Sequence, residues 1–456
     1  MASFVARSAM PVEALELDRW HERPGSFERL IPPWSRVAIL ERTRGLDVGG
    51  RIVLRIGRFP LSVLWTAEHT ARDRGRRFVD TQVSGPFARW VHEHVFEDAG
   101  GGTSVLSDRV DYALPAGGVG AVLGGKRIRR ALDRAFTHRH RVTREDLSRH
   151  APFLTAPPLR VAVTGATGLV GSALCAFLLA GGHEVIRLVR GRPAATGEAA
   201  WDPLRGTIDR DRLEGLDAVV HLAGVNIASG RWTRRRKARI LASRTLGTEL
   251  IVRTLAALAH PPETLVSASA IGIYGATGRL VVDESSPPGT GFLSEVSRAW
   301  EAAAAPAAAA GIRVVALRLG IVLSPRGGAL GKMLPAFRLA LGGPIGSGGQ
   351  GFSWVALDDA VYAIHHVIRS RGVAGPVNVV APEPVGQREF ARALGIALGR
   401  PALFPLPRAM VWAVFGQLGE ETLLASPYVS PGVLARSGFV WSAPELDAAL
   451  ASLLGS

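Results

Sequence analysis

Three glycines stand three residues apart in "RVAVTGATGLVGSALCAFLLAGGHEVIRLVRG": Gly165, Gly168 and Gly171. Placed between the apolar run "RVAVT" and a helix-forming run, this spacing suits the cradling of a pyrophosphate. The first glycine permits a tight turn. The second lets the backbone approach the phosphates, and the third lets helix and strand pack closely. Amides around Gly165, Thr167, Gly168, Leu169, Val170 and Gly171 then face the phosphates at a helix N-terminus. "HEVIRLVR" supplies the next strand of a βαβ unit and carries no acid after Glu184. An acid at that strand's end binds the ribose 2′-hydroxyl of NAD, whereas an arginine accommodates the 2′-phosphate of NADP. Arg187, Arg190 and Arg192 lie there, with Arg190 at the strand end, so NADP is expected ahead of NAD. The competing reading assigns these arginines to a chain-wide arginine excess.

The next strands extend the pattern. "LDAVVHLAG" ends in Leu222, Ala223 and Gly224, whose small residues let the backbone pass the adenine side of a cofactor. "TLVSASAIGIYG" reads as a strand carrying Ser267, Ser269 and Tyr274 to the carboxyl end of a parallel sheet, where doubly wound folds bind ligands. Ser267 is assigned to the cofactor, and Ser269 and Tyr274 to catalysis. "GIRVVALRLGIVLSP" reads as one further strand.

Together "VTGATGLVG", "HLAG", "SASAIGIYG" and "LRLGIVLSP" resemble an extended short-chain dehydrogenase/reductase. "RWTRRRKARILASR", "FLSEVSRAWE" and "GGALGKMLPAFRLALGGPIGSGGQGFSWVALDD" narrow the resemblance to the sugar-nucleotide epimerase-like "epimerase family", over about residues 159–455. The resemblance implies an α/β Rossmann fold with a doubly wound parallel sheet and a C-terminal substrate side. It also implies hydride transfer, with a serine and a tyrosine acting on the substrate oxygen and a lysine four residues beyond the tyrosine. Ser269 matches the serine. The pair does not match: the only lysines are Lys126, Lys237 and Lys332, preceded at minus four by Val122, Thr233 and Gly328. In "GTGFLSEVSRAWE" the spacing falls on Gly291 and Glu295 instead.

Tyr274 is therefore either a proton donor acting from another direction or a ring packed under its loop. Glu295 is an acid–base candidate if buried and a solvated helix residue otherwise. Lys332, in a glycine-rich stretch before a helix, suits an anionic substrate contact. Arg231 and Trp232 of the "RWT" motif belong to the substrate side or to the framework. Two functions fit: an NADP-dependent oxidoreductase or epimerase-like enzyme, and a non-catalytic NADP(H)-binding sensor or scaffold.

These residues need elements to hold them. The proline-containing stretch "HAPFLTAPPLR" divides the chain. The expected organisation is a ligand-binding domain over 1–150, a linker over 151–158, a Rossmann domain over 159–385 and a C-terminal segment over 386–456. Upstream, a strand, two short helices broken at Pro24-Gly25, several strands and a helix from about Val119 to Arg141 follow in order. That order, with "GSFERLIPPW", "FVDTQVSGPFARWVHEHVF" and "GTSVLSDRVDYALP", resembles the α+β helix-grip fold of START-like and polyketide-cyclase-like proteins. The resemblance implies an apolar pocket for a small hydrophobic ligand. His92 and His94 share one strand face with Trp90 and Phe96. No third ligand is apparent in the sequence, so the reading is packed histidines and no metal.

Composition sets the remaining bounds. The chain has 456 residues, 47% hydrophobic and 20% charged, enough for two ordinary cores. The net charge of +15 is almost all arginine, spread over both halves. No stacking-aromatic pattern accompanies it, so no nucleic-acid partner is expected. No apolar run nears the ~20 residues of a membrane span. Cys175 is the only cysteine, which excludes an internal disulfide and fits a cytoplasmic location.

Overall fold

The computed structural model describes residues 1–57, 60–115 and 117–456, with the backbone alone described over 117–123. The chain forms two compact units: Met1–Pro157 with Ala176–Gly182 and Gly455, and Pro158–Cys175 with His183–Leu454 and Ser456.

The first unit runs β1 (Ala2–Met10), α1 (Ala14–Glu22), α2 (Ser26–Leu30), β2 (Val37–Arg42), β3 (Arg51–Ile56), β4 (Val63–Asp73), β5 (Arg77–Ser84), β6 (Arg89–Gly100), β7 (Thr103–Ala113) and α3 (Gly117–His150). The strands form one seven-stranded antiparallel sheet in the order β1-β7-β6-β5-β4-β3-β2. Alternate residues of β6, namely Trp90, His92, His94 and Phe96, point inward, as the strand period of two requires. The long helix lies on this face: the Phe136 ring stands 5.2 Å from Phe4 and 5.2 Å from His92. Gly25 adopts φ +89° and separates α1 from α2. Arg29 and Asp146, both buried, then tie α2 to α3 through two 2.8 Å hydrogen bonds. The helix continues past Arg141 because Val142 and Leu147 keep a buried side, each 1% exposed.

The second unit contains β8 (Arg160–Thr164), α4 (Leu169–Ala180) as far as Cys175, β9 (Glu184–Val189), β10 (Glu198–Asp202), β11 (Thr207–Ile208), β12 (Ala218–His221), α5 (Arg234–Ala256), β13 (Thr264–Ala270), β14 (Val281–Val282), α6 (Phe292–Ala304), β15 (Arg313–Leu319), β16 (Ile321–Leu323), α7 (Gly328–Arg338), β17 (Gly351–Phe352), β18 (Trp354–Ala356), α8 (Leu357–Arg369) and β19 (Gly375–Val379). Its eight-stranded sheet has the order β11-β10-β9-β8-β12-β13-β15-β19, parallel except for the edge strand β11. This is the expected Rossmann arrangement. The chain winds outward from β8 to β10 and then returns to β12 on the other side of β8. The crevice at their carboxyl ends is the topological switch point.

Two expected strands are shorter than read. The strand read in "TLVSASAIGIYG" is β13, which ends at Ala270, and Ile271–Tyr274 forms a 3-10 turn. The strand read in "GIRVVALRLGIVLSP" breaks at Gly320, between β15 and β16, where an added Cβ would lie 2.6 Å from Val380 and 2.7 Å from the Ser353 carbonyl. The chain there leaves the main sheet, and β16 pairs with β18. The aspartates of "WVALDD" are Asp358 and Asp359 of α8. They lie in its first turn, and Asp359 accepts hydrogen bonds from the Ser442 and Ala443 amides.

Beneath the switch point Ile251 of α5 packs with Ala162, Trp201, Val219 and Leu265. It is fully buried. Ile251→Ala should therefore lower stability by about 2–5 kcal/mol, read as an earlier urea transition of the second unit. An unchanged transition would show that this core does not carry the sheet.

Candidate functional site

The glycine loop has the geometry its spacing implies. Gly165 adopts φ +65°, and its amide neighbour across the turn, Gly168, donates to its carbonyl at 2.9 Å. A Cβ on Gly171 would lie 2.2 Å from the same carbonyl, so only glycine lets α4 start this close to the turn. Thr167 and Gly168 are exposed, and Leu169 and Val170 half-buried. The Ser172 amide bonds the Gly168 carbonyl at 2.9 Å, and those of Leu169, Val170 and Gly171 open α4 with no preceding helical turn to accept from them, a setting that suits an anion.

A second interaction fixes the other wall. Thr164 and His221 end β8 and β12 side by side. The Thr164 hydroxyl accepts from the amides of Leu222 (3.0 Å) and Ala223 (3.2 Å) and lies 2.8 Å from His221 Nδ1. An oxygen already accepting two bonds donates its own proton, so Nδ1 is the acceptor. Burial, then the nearby Arg244 charge, holds His221 neutral by lowering its pKa to about 3. Leu222 and Ala223 are thereby held against Gly165, where an added Cβ would lie 3.0 Å from the Leu222 carbonyl carbon. Gly224 is glycine for a related reason: Arg244 packs beneath it, 3.3 Å from where a Cβ would stand, and its guanidinium lies over Trp300 at 4.9 Å.

Arg190, just beyond β9, is exposed and forms no ion pair among the described residues, whereas Arg187 approaches Glu198 at 3.5 Å. Arg190 and Arg192 are thus both exposed cations without an ion pair among the described residues, and Arg190 stands at the strand end. Ser267 does not reach the crevice. It is 1% exposed, and its hydroxyl is enclosed in the sheet.

The expected catalytic residues occupy a different setting. Ser269, Arg318 and Asn378 stand in register across β13, β15 and β19. Ser269 donates to Glu301 Oε1 of α6 at 2.6 Å. Arg318 grips both oxygens of Glu301 at 2.9 Å and donates to the Tyr274 hydroxyl at 2.9 Å. Tyr274 in turn donates to Asn378 Oδ1 at 2.8 Å. Tyr274 is not at a ligand-facing strand end: it lies in the 3-10 turn, 3% exposed. Burial raises its pKa despite the Arg318 contact. The arginine stays charged because Glu301 and Tyr274 outweigh its own burial. Both hydroxyls therefore have framework partners. Glu301, Arg318 and Asn378 were not singled out from the sequence. The available signal was an arginine inside the apolar strand "VVALRLG", since a buried charge needs a buried partner.

Nor does α6 offer a replacement for the missing pair. Gly291 precedes the helix at φ +102°, and an added Cβ would lie 3.1 Å from Glu421. The Glu421 carboxylate accepts from the amides of Phe292 (3.1 Å) and Leu293 (2.9 Å), capping α6. Glu295 is exposed.

Arg231 and Trp232 line a cleft with Trp412, Phe415 and Gln417. Arg231 donates to the Ala413 carbonyl at 3.1 Å, and Trp232 Nε1 to the Ile227 carbonyl at 3.0 Å. Lys332 donates to the Ala228 carbonyl at 2.9 Å. These three residues brace the loop after β12 around the cleft.

The first unit encloses a cavity of about 180 Å³, walled largely by apolar side chains such as Leu46, Ile52 and Trp65. Asp80, His92 and His94 also line it. The absence of a third candidate ligand beside the two histidines, as read from sequence, is corrected here: Asp80 of β5 lies within reach of both rings. Burial disfavours charge on His92, but Asp80 and Asp108 outweigh it and raise its pKa to about 9.

Residues 161–381 match the NAD dependent epimerase/dehydratase family. Residues 406–453 match a domain of unknown function (DUF1731), and residues 19–137 match polyketide cyclase / dehydrase and lipid transport proteins. Epimerase family protein Mb2239 of Mycobacterium bovis is 44% identical over 279 residues, covering 61% of this chain and 92% of the relative. The chain belongs to the epimerase family. Within this family, the human epimerase family protein SDR39U1, solved with NADPH, is 38% identical and covers 65% of this chain and 99% of its own, at TM-score 0.60. A nucleoside-diphosphate sugar epimerase from Corynebacterium glutamicum is 32% identical, covering 99% of this chain and 90% of its own, at TM-score 0.79. Both units therefore have a counterpart in one solved chain. Among the described residues, no helix is long and apolar enough to cross a membrane.

Two substitutions test the site. Gly171→Ala should weaken nucleotide binding at least about tenfold, because its Cβ must displace the turn, while the far-ultraviolet circular dichroism stays unchanged. Tyr274→Phe should cost about 1–3 kcal/mol in denaturant unfolding, because it strips a buried Arg318 N–H of its acceptor. A loss of activity without that loss of stability would return Tyr274 to the catalytic machinery.

Proposed function

We propose that the protein is an NADP(H)-dependent oxidoreductase of the epimerase type, with the second unit carrying the cofactor at the β8/β12 crevice. The observation that carries this reading is the glycine turn beside an unpaired Arg190. The turn offers amides to a pyrophosphate, and the arginine offers a cation to a 2′-phosphate. The human relative solved with NADPH supports the same choice. Bound there, the nicotinamide supplies hydride transfer. The chain's residues would orient it: Thr164 and His221 hold the loop that forms one wall, and α4 holds the phosphates. Arg231, Trp232 and Lys332 would border a small-molecule substrate on the side of residues 386–456. The first unit would hold an apolar ligand in its cavity. The proposed site is cytoplasmic, and no nucleic-acid or membrane partner enters the reading.

A second reading, a non-catalytic NADP(H)-binding sensor or scaffold, is favoured by one observation: the hydroxyls of Ser269 and Tyr274 are both committed to the Glu301–Arg318–Asn378 network. The two readings share the cofactor and differ in turnover.

Calorimetry with NADPH and NADH is the test. NADPH should bind at least about tenfold more tightly than NADH, and Arg190→Asp should remove that preference. Equal affinities would overturn the assignment of Arg190. NADPH oxidation against a panel of carbonyl compounds and nucleotide sugars then separates the readings. Turnover establishes the enzyme, and tight binding without turnover establishes the sensor.

A further inference from the structure

The polar wall of the N-terminal cavity has an order that packing alone does not require. His92 and His94 lie side by side on β6, their ring centroids 3.8 Å apart. His92 Nδ1 and His94 Nε2 both face Asp80 Oδ2, at 3.2 and 3.6 Å. The opposite nitrogens, His92 Nε2 and His94 Nδ1, both face Asp108 Oδ1, at 3.0 and 2.6 Å. Two imidazoles are thus held between two carboxylates. Asp80 and the two histidines line the cavity, whereas Asp108 stands behind them. Asp108 is fixed in turn by His140, whose Nε2 lies 2.6 Å from Oδ2 and whose Nδ1 lies 2.9 Å from the Ser8 hydroxyl.

We propose that Asp80 Oδ2, His92 Nδ1 and His94 Nε2 are three ligands of one divalent transition-metal ion, zinc foremost, with a further coordination position open to the cavity. The spacing carries the argument. Zinc lies about 2.0–2.2 Å from nitrogen and oxygen ligands, so two ligands at a tetrahedral angle stand about 3.3–3.6 Å apart. The observed nitrogen–oxygen separations of 3.2 and 3.6 Å span that range. A direct charge-assisted N–H to carboxylate bond would draw such atoms to about 2.7–2.9 Å.

The rear carboxylate supplies the second argument. A metal-bound histidine usually donates its other N–H to a carboxylate, which fixes ring and tautomer. Asp108 stands where it can serve both rings at once. The His92 contact has hydrogen-bond geometry, while the His94 contact is close but off-axis. The third argument is charge. Two carboxylates in this buried cluster need compensating positive charge. Arg139, which lines the same cavity, supplies part of it, and one divalent ion supplies the rest in place of imidazole protons. Its open position faces apolar walls, so it would take the oxygen donor of a small, otherwise apolar ligand, such as a carbonyl or carboxylate.

The test uses the untagged full chain, stripped with chelator and titrated with Zn²⁺ and with Co²⁺. One equivalent should bind, and Co²⁺ should give the visible absorption of a four- or five-coordinate site. Asp80→Asn and His94→Gln should each weaken binding at least about tenfold and abolish that absorption, and Asp108→Asn should weaken it about 10–100-fold. His69→Gln, in the same cavity but outside the ligand set, should leave binding unchanged. Thermal unfolding of each metal-free variant checks folding, and Asp80→Asn, nearly isosteric, is decisive if Asp108→Asn fails to fold. Substoichiometric binding, an octahedral cobalt spectrum, or affinity unaltered by Asp80→Asn would overturn the site.

Discussion

The second unit depends on one close approach. Gly171, at the start of α4, lies so near the Gly165 carbonyl that no side chain fits between them. The approach brings the N-terminus of α4 to the end of β8. It would be of little use if the neighbouring strand end drifted, and the Thr164 hydroxyl prevents that by binding two amides of the loop after β12 while donating to His221. The crevice is thus defined by a steric limit on one side and a three-bond hydroxyl on the other. The sheet order places the crevice where strand winding reverses.

A second constraint shapes what the crevice can do. Ser269, Arg318 and Asn378 form a polar row through an otherwise apolar sheet, joined by Glu301 and Tyr274. Breaking one member leaves a buried donor or charge without its partner, which costs far more than an exposed ion pair of the same geometry. The helix that resembles the carrier of a Tyr/Lys pair is instead fastened at its start by Glu421. In this chain the region has become a rigid junction between sheet, α6 and C-terminal segment. Hydride chemistry there would draw its acid from elsewhere on the cleft.

The first unit meets a similar problem with different means. Its cavity is mostly apolar, yet one wall carries two carboxylates and two imidazoles inside the sheet. Strand alternation alone puts His92 and His94 on the inner face with Trp90 and Phe96. The antiparallel registers then bring Asp80 of β5 opposite His92 and Asp108 of β7 opposite His94. Pairing on both sides explains how charged groups persist in a cavity otherwise built for an apolar ligand.

Much of this was legible in the residues themselves. Glycine spacing, apolar runs and their alternation are local, so the βαβ unit, the parallel sheet and the upstream strands could be read from them, while the antiparallel pairing of those strands came from the resemblance to helix-grip proteins. The place of Arg190 at a strand end was read the same way, and its exposure came from the fold. What the sequence could not reveal depends on partners distant in the chain. Ser269 and Tyr274 look like catalysts until strand register sets Arg318 and Asn378 beside them, 44 and 104 residues from Tyr274. His92 and His94 look like packed histidines until β5 and β7 bring a carboxylate to each side. Residue type and spacing determined which groups can do chemistry. Tertiary structure decided which remain available, because a buried polar group is committed by whichever partner the fold places within about 3 Å of it.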